Sequence, residues 1–171
     1  LSSVTMAEIE PMWMDYLGGT DYDYGSGVAL DSAGRSYITG DTRNTSNFVG
    51  AINPNHGGRD AFVSCVDPDG KILWTTYVGG GGNDNGTKIA VDSAGVIYLC
   101  GFTASLNLDG AVNAYRGGSS DAFVAAINGD GTIRWSCYLG GDDTDRANGI
   151  AVDPLSGDLI VAGYTESWQF V

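Results

Sequence analysis

The chain has 171 residues, 27 of them glycine and 4 proline, with 43% hydrophobic and 17% charged residues. Glycine far exceeds its usual share of about 7% while charge falls below the usual ~25%, which excludes a highly charged disordered polymer. No apolar run approaches the ~20 residues of a bilayer-spanning helix. The 8 Lys+Arg against 21 Asp+Glu give a formal net charge of −13. Such a surface repels phosphate backbones and anionic lipid, so nucleic acid and membrane insertion are excluded as partners.

The chain opens at Leu1 with neither an initiator Met nor a signal peptide, as a processed chain or a fragment does. Residues 12–17 (MWMDYL) read as the first strand, and residues 1–7 (LSSVTMA) fall where its partner strand is expected. After the loop GGTDYDYGSG come two further strands, ending in VALD at Asp31 and spanning GRSYITGDT. The run DAFVSCVDPDG from Asp60 supplies another, and Trp74 then opens WTTYVGG, a second copy of the WMDYLGG at Trp13. A third copy, WSCYLGG, starts at Trp135, so the period is 61 residues. The blocks recur in fixed order: IAVD ends at Asp92 and at Asp153, GVIYLCGFT and GDLIVAGYT follow, and DAFVAAINGDG begins at Asp121.

Each block is short, apolar and rich in β-branched and aromatic residues, the pattern of a strand. Asp31-Ser-Ala-Gly34, Asp92-Ser-Ala-Gly95, Asp67-Pro-Asp-Gly70 and Asn128-Gly-Asp-Gly131 place Asp or Asn first and Gly fourth, as a hairpin turn requires. Glycine abundance is therefore turn chemistry. Four antiparallel strands recurring at this period predict an all-β fold of β-propeller blades. Ala29, Ala90 and Ala151 are expected in the crowded innermost strands, and Trp13, Trp74 and Trp135 as fillers between blades.

The succession W-x-x-Y-[LV]-G-G, [IV]-A-[LV]-D, Y-[IL]-x-G-x-T and D-A-F-V-x-x-[IV]-x-x-D-G resembles the bacterial seven-bladed β-propeller (SBBP) repeat from Met12 to Ser167. The resemblance implies a propeller in secreted or cell-surface bacterial proteins, and it brings no catalytic residue. The chain is read as one partial propeller over 1–171, with repeats at about 13–73, 74–134 and a truncated 135–171. That is three blades' worth of strands, one blade being split between the termini, and propellers typically have about 4 to 8. Two routes to completion are open. The chain is part of a longer propeller, or copies assemble by completing each other's split blade.

The loops before the IAVD-type strands carry the most chemistry. Asp21 and Asp23, Asp84 with Asn83 and Asn85, and Asp142, Asp143 and Asp145 offer hard oxygen ligands suited to Ca²⁺, against the alternative of hydrogen-bonded turns. Tyr22 and Tyr24 break the repeat beside these carboxylates and can stack on a sugar ring or pack over the blade end, and Tyr115, Phe48, Trp168 and Phe170 are also off the repeat. Asp31, Asp92 and Asp153 are read as hairpin caps, and Asp60 and Asp121 as fixing the entry to their strands. Asn44-Thr-Ser and Asn85-Gly-Thr match the glycosylation pattern. Cys65, Cys100 and Cys137 form no CxxC pair and read as small strand residues. With one histidine, His56, and no GxSxG, HExxH or P-loop, no catalytic constellation is legible. The expected function is a non-catalytic scaffold or binding module whose partners are proteins, other copies of itself or glycans. The rival is an extracellular polysaccharide-active enzyme using rim carboxylates.

Overall fold

The computed structural model describes residues 13–43 and 46–169. Ten strands follow one another without a helix among the described residues: β1 Asp23–Leu30, β2 Ser36–Thr42, β3 Asp60–Val66, β4 Ile72–Val78, β5 Asp84–Val91, β6 Ile97–Thr103, β7 Asp121–Ile127, β8 Ile133–Leu139, β9 Asp145–Val152 and β10 Leu159–Thr165. They form three antiparallel sheets, β1-β2-β3-β4, β5-β6-β7-β8 and the pair β9-β10. Each sheet is one blade, the third being present as its first two strands. The sequence period starts at a Trp, whereas the blade starts about ten residues later at an Asp, because the Trp strand closes the preceding sheet.

The expected hairpins form. Gly34, Gly70, Gly95 and Gly131 all have positive φ, between 80° and 89°, the left-handed region that glycine enters without a Cβ clash. Asp31 Oδ1 accepts the amides of Ala33 and Arg35, Asp92 Oδ1 those of Ala94 and Val96, and Asp153 Oδ1 those of Leu155 and Ser156. These aspartates are therefore caps.

The strand expected at 12–17 is a correction: residues 13–22 form no strand. A Trp-block strand draws its ladder from the third strand of its own blade, as β4 does from β3, and no strand pairs with this segment among the described residues. Residues 1–7, Asn44 and Phe170 lie outside the described residues.

Blades pack with their first strands side by side, β5 lying against β1 and β9 against β5. Each first strand carries a one-residue bulge, at Ser26, Thr87 and Asn148. The bulge turns a side chain toward the next blade. Ser26 Oγ donates to Gly86 O, and one repeat later Thr87 Oγ1 donates to Ala147 O at 2.6 Å. The core beneath is continuous across blades: Tyr37, Val63, Cys65, Trp74 and Val78 share one buried cluster with Ile89, Ile97, Leu99, Phe123 and Tyr138.

Trp74 links two blades as expected. Trp74 is 6% exposed and donates Nε1–H to Gly129 O at 3.1 Å across the junction. Trp13 repeats the contact on Pro68 O at 3.1 Å. Trp135 is half-buried and tilts against Tyr98.

Candidate functional site

The chemistry of the chain concentrates at one end of the strands, where each blade meets the next. Asp23, Asp84 and Asp145 open β1, β5 and β9, and Asp60 and Asp121 open β3 and β7. Register places Thr42 opposite both Asp23 and Asp60, and Thr103 opposite both Asp84 and Asp121. Carboxylates and threonines thus alternate along a belt that runs through both junctions.

The first-strand aspartates bind the chain itself. Asp23 Oδ2 accepts Gly19 N–H at 2.8 Å and Oδ1 the Thr42 hydroxyl at 2.6 Å. Asp84 accepts Gly80 N–H at 2.9 Å, Ser105 Oγ–H at 2.8 Å and the Thr103 hydroxyl. Asp145 Oδ2 accepts Gly141 N–H and Ser167 Oγ–H, both at 2.9 Å. Asp84 and Asp145 are fully buried. The remaining loop acids are exposed and serve local turns: Asp21 Oδ1 accepts Tyr22 N–H, Asp143 Oδ1 accepts Thr144 N–H, and Asp142 lies on the surface.

Asp23, Asp84 and Asp145 stand one per blade with donors of the chain on their oxygens, and among the described residues no three His, Cys, Asp or Glu side chains converge as metal ligands. The physical reason is the repeat: equivalent acids are spread a blade apart.

What does converge is a cross-blade pair. Asp60 and Asp84 are both fully buried, and a Cβ on Gly79 would stand 2.4 Å from Asp60 Oδ1 and 2.7 Å from Asp84 Oδ2. At the next junction a Cβ on Gly140 would stand 2.5 Å from Asp145 Oδ2 and 3.2 Å from Asp121 Oδ1. The first glycine of each Gly-Gly is thus required by the carboxylates beside it. Asp60 Oδ2 accepts His56 N–H at 3.1 Å and Asp121 Oδ2 accepts Arg116 N–H, while Asp60 Oδ1, Asp121 Oδ1 and Asp145 Oδ1 are buried without a hydrogen bond. Burial pushes the Asp60 carboxyl up to about 6, and burial raises Asp84 and Asp121 as well.

His56 was not legible as part of this site. Its Nε2 lies 3.0 Å from Asp109 Oδ2 and its Nδ1 3.4 Å from Asp60 Oδ1, so it bridges the loop before β3 to the loop before β7. The sequence signal was its place four residues before the strand-opening Asp60, where the second repeat has Gly117.

Tyr22 and Tyr24 are 64% and 53% exposed. The positions one and two repeats after Tyr24 are junction contacts: Asn85 Nδ2 donates to Asp41 Oδ1 at 2.9 Å, and the Arg146 guanidinium sits 4.4 Å over the Phe102 ring. Tyr24 therefore marks the leading face of the first blade, the face that later blades turn toward their predecessor. Asn85 is 8% exposed and bonded, so its glycosylation pattern is buried. Cys65, Cys100 and Cys137 are free thiols within strands, and burial raises all three.

Two stretches match the family model described as SBBP, beta-propeller repeat: residues 13–48 and 73–109. Each runs from a Trp block into the first two strands of the next blade, so the matched unit straddles the junction. The chain is also similar to the regulatory protein FlaEY of Caulobacter vibrioides, 37% identical over 125 residues, which are 69% of this chain and 12% of that protein. It thus spans a small part of that relative's length. With all-β four-stranded sheets and the repeat found twice, the chain is a carrier of the SBBP beta-propeller repeat.

Proposed function

We propose that the chain is a non-catalytic propeller module that works by presenting a rigid surface to a protein partner, in a secreted or cell-surface setting. The observation that carries this reading is the use made of the strand-end carboxylates: Asp23, Asp84 and Asp145 are occupied with amides and hydroxyls of their own loops. A hydrolytic pair needs two carboxyls facing a substrate about 5 to 9.5 Å apart, and the close pairs here are sealed from solvent. The relative's name, a regulatory protein, supports action through binding.

The outer faces support growth by further blades. β1 exposes Tyr24, Val28 and Leu30, and β10 exposes Ile160 and Tyr164. These are junction positions, so they suit another blade of the same repeat, from a longer polypeptide or a second copy. The test pairs a binding screen against surface proteins and glycans with a hydrolysis assay on the same glycans. Binding without turnover is expected. Turnover abolished by changing one acidic residue would overturn the reading in favour of a polysaccharide-active enzyme.

A further inference from the structure

The two carboxylates at each junction are not equivalent. Asp84 receives an amide and two hydroxyls, which fix it as an ionised acceptor. Asp60 receives one amide on Oδ2, and its Oδ1 borders, together with Asp84 Oδ2, the space that a Gly79 side chain would fill, with no hydrogen bond and the His56 ring Nδ1 3.4 Å away. Two ionised carboxylates this close, shut away from water, repel each other while both lose hydration. A proton on Asp60 Oδ1 removes the repulsion. A related arrangement recurs one repeat later, where the unbonded Asp121 Oδ1 and the doubly bonded Asp145 Oδ2 both border Gly140.

We propose that one acid buried at each blade junction, Asp60 beside Asp84 and Asp121 beside Asp145, holds a proton in acidic surroundings, and that its loss to solvent loosens one blade from the next as the surroundings turn neutral. This goes beyond the scaffold reading and does not depend on what the module binds.

The groups around the first pair set its range. From the loop before β3, His56 is the nearest basic group to Asp60, and it also reaches Asp109 of the loop before β7. Arg59 is engaged by Asp41 of β2 at 3.3 Å. Tyr77 of β4 gives its hydroxyl to the Phe48 amide as an acceptor, and Tyr138 of β8 does the same for Leu108. Asp23 lies beyond Thr42. At the second pair Arg116 is the neighbouring cation, with Tyr115 and Tyr138 alongside. Burial outweighs these cations, and the Asp60 carboxyl stands at about 6 against an ordinary 3.8. Because the folded-state value is the higher one, the stabilisation is complete below the ordinary value and is lost as pH rises through about 6. A shift of about two units corresponds to roughly a hundredfold fall in the folding equilibrium.

The experiment is denaturant unfolding of the chain from acidic to mildly alkaline pH, for wild type, Asp60→Asn and Asp121→Asn, each with and without added CaCl2. Wild-type stability is expected to fall as pH rises from the ordinary 3.8 to about 6, and each variant, whose amide does not titrate, to lose part of that slope. A wild-type profile that is flat or rises, or a slope unchanged in both variants, overturns the proposal. So does recovery of alkaline stability by calcium, which would put a cation in place of the proton. Should a variant fail to fold, carboxyl-carbon NMR of the wild type decides: Asp60 titrating near 6 supports the proposal, and titration in the ordinary aspartate range overturns it.

Discussion

Gly79 shows how a single position in the repeat is determined. The Trp block ends in Gly-Gly in all three copies, and in isolation a glycine pair reads as a flexible loop. The structure gives the first glycine a steric cause, because a methyl group there would collide with Asp60 Oδ1 and with Asp84 Oδ2, which Gly80 N–H and Ser105 Oγ–H hold in place. Gly79→Ala is expected to cost about 1–3 kcal/mol, as overpacking of a filled site does. Gly81, with nothing within 4 Å of a built Cβ, is the control, and Gly81→Ala is expected to stay within about 0.5 kcal/mol. Thermal unfolding of the two variants checks both. Equal losses would remove the steric account.

At the scale of the element, the fourth strand of a blade is held on its outer side by the loop before the third, through a backbone bridge at Thr75 or Ser136 and then through an asparagine. Asn53 Nδ2 donates to Tyr77 O, and Tyr77 N–H donates to Asn53 Oδ1, both at 2.9 Å. Asn113 brackets Tyr138 in the same way. The side-chain amide stands in for a fifth strand, satisfying a buried backbone pair that would otherwise go unpaired. The tyrosine hydroxyls then tie down the loops before β3 and β7, accepting Phe48 N–H and Leu108 N–H. Asn53→Ala is expected to cost about 1–3 kcal/mol, since it leaves the Tyr77 amide and carbonyl without partners. Hydrogen exchange at the Tyr77 amide should accelerate while the β1-β2 ladder keeps its protection. Unchanged exchange at Tyr77 would refute the bracket. The strands themselves were legible from alternation and turn chemistry. The asparagines were not: GAIN at 50–53 recurs as GAVN at 110–113, but a bracket is a contact across some 25 residues, which the local pattern does not reveal.

Over the whole molecule, a net charge of −13 adds long-range repulsion to the buried acid pairs. Raising ionic strength from about 0.01 M to about 0.15 M shortens the screening length from ~30 to ~8 Å. The melting temperature is accordingly expected to rise with salt, the exposed acids such as Asp142 and Asp143 being screened first. A melting temperature that falls over that range would show that attractive pairs such as Arg35 with Asp31, 2.7 Å apart, outweigh the general repulsion.

By itself the sequence determined the strands from Asp23 onward, the turns and the repeat. These depend on near neighbours: alternation along a strand, Asp and Gly at fixed turn offsets, and a 61-residue recurrence. Only the tertiary structure decided what the acids do. Asp60 and Asp84 lie 24 residues apart on different sheets, and whether such residues share a buried site depends on how one blade seats on the next. The loop acids Asp21, Asp142 and Asp143 looked equally suitable as ligands, yet packing leaves them at the surface and buries Asp84 and Asp145 beside acids of the preceding blade. Residue type supplied the charge. The junction decided which charges must be neutralised.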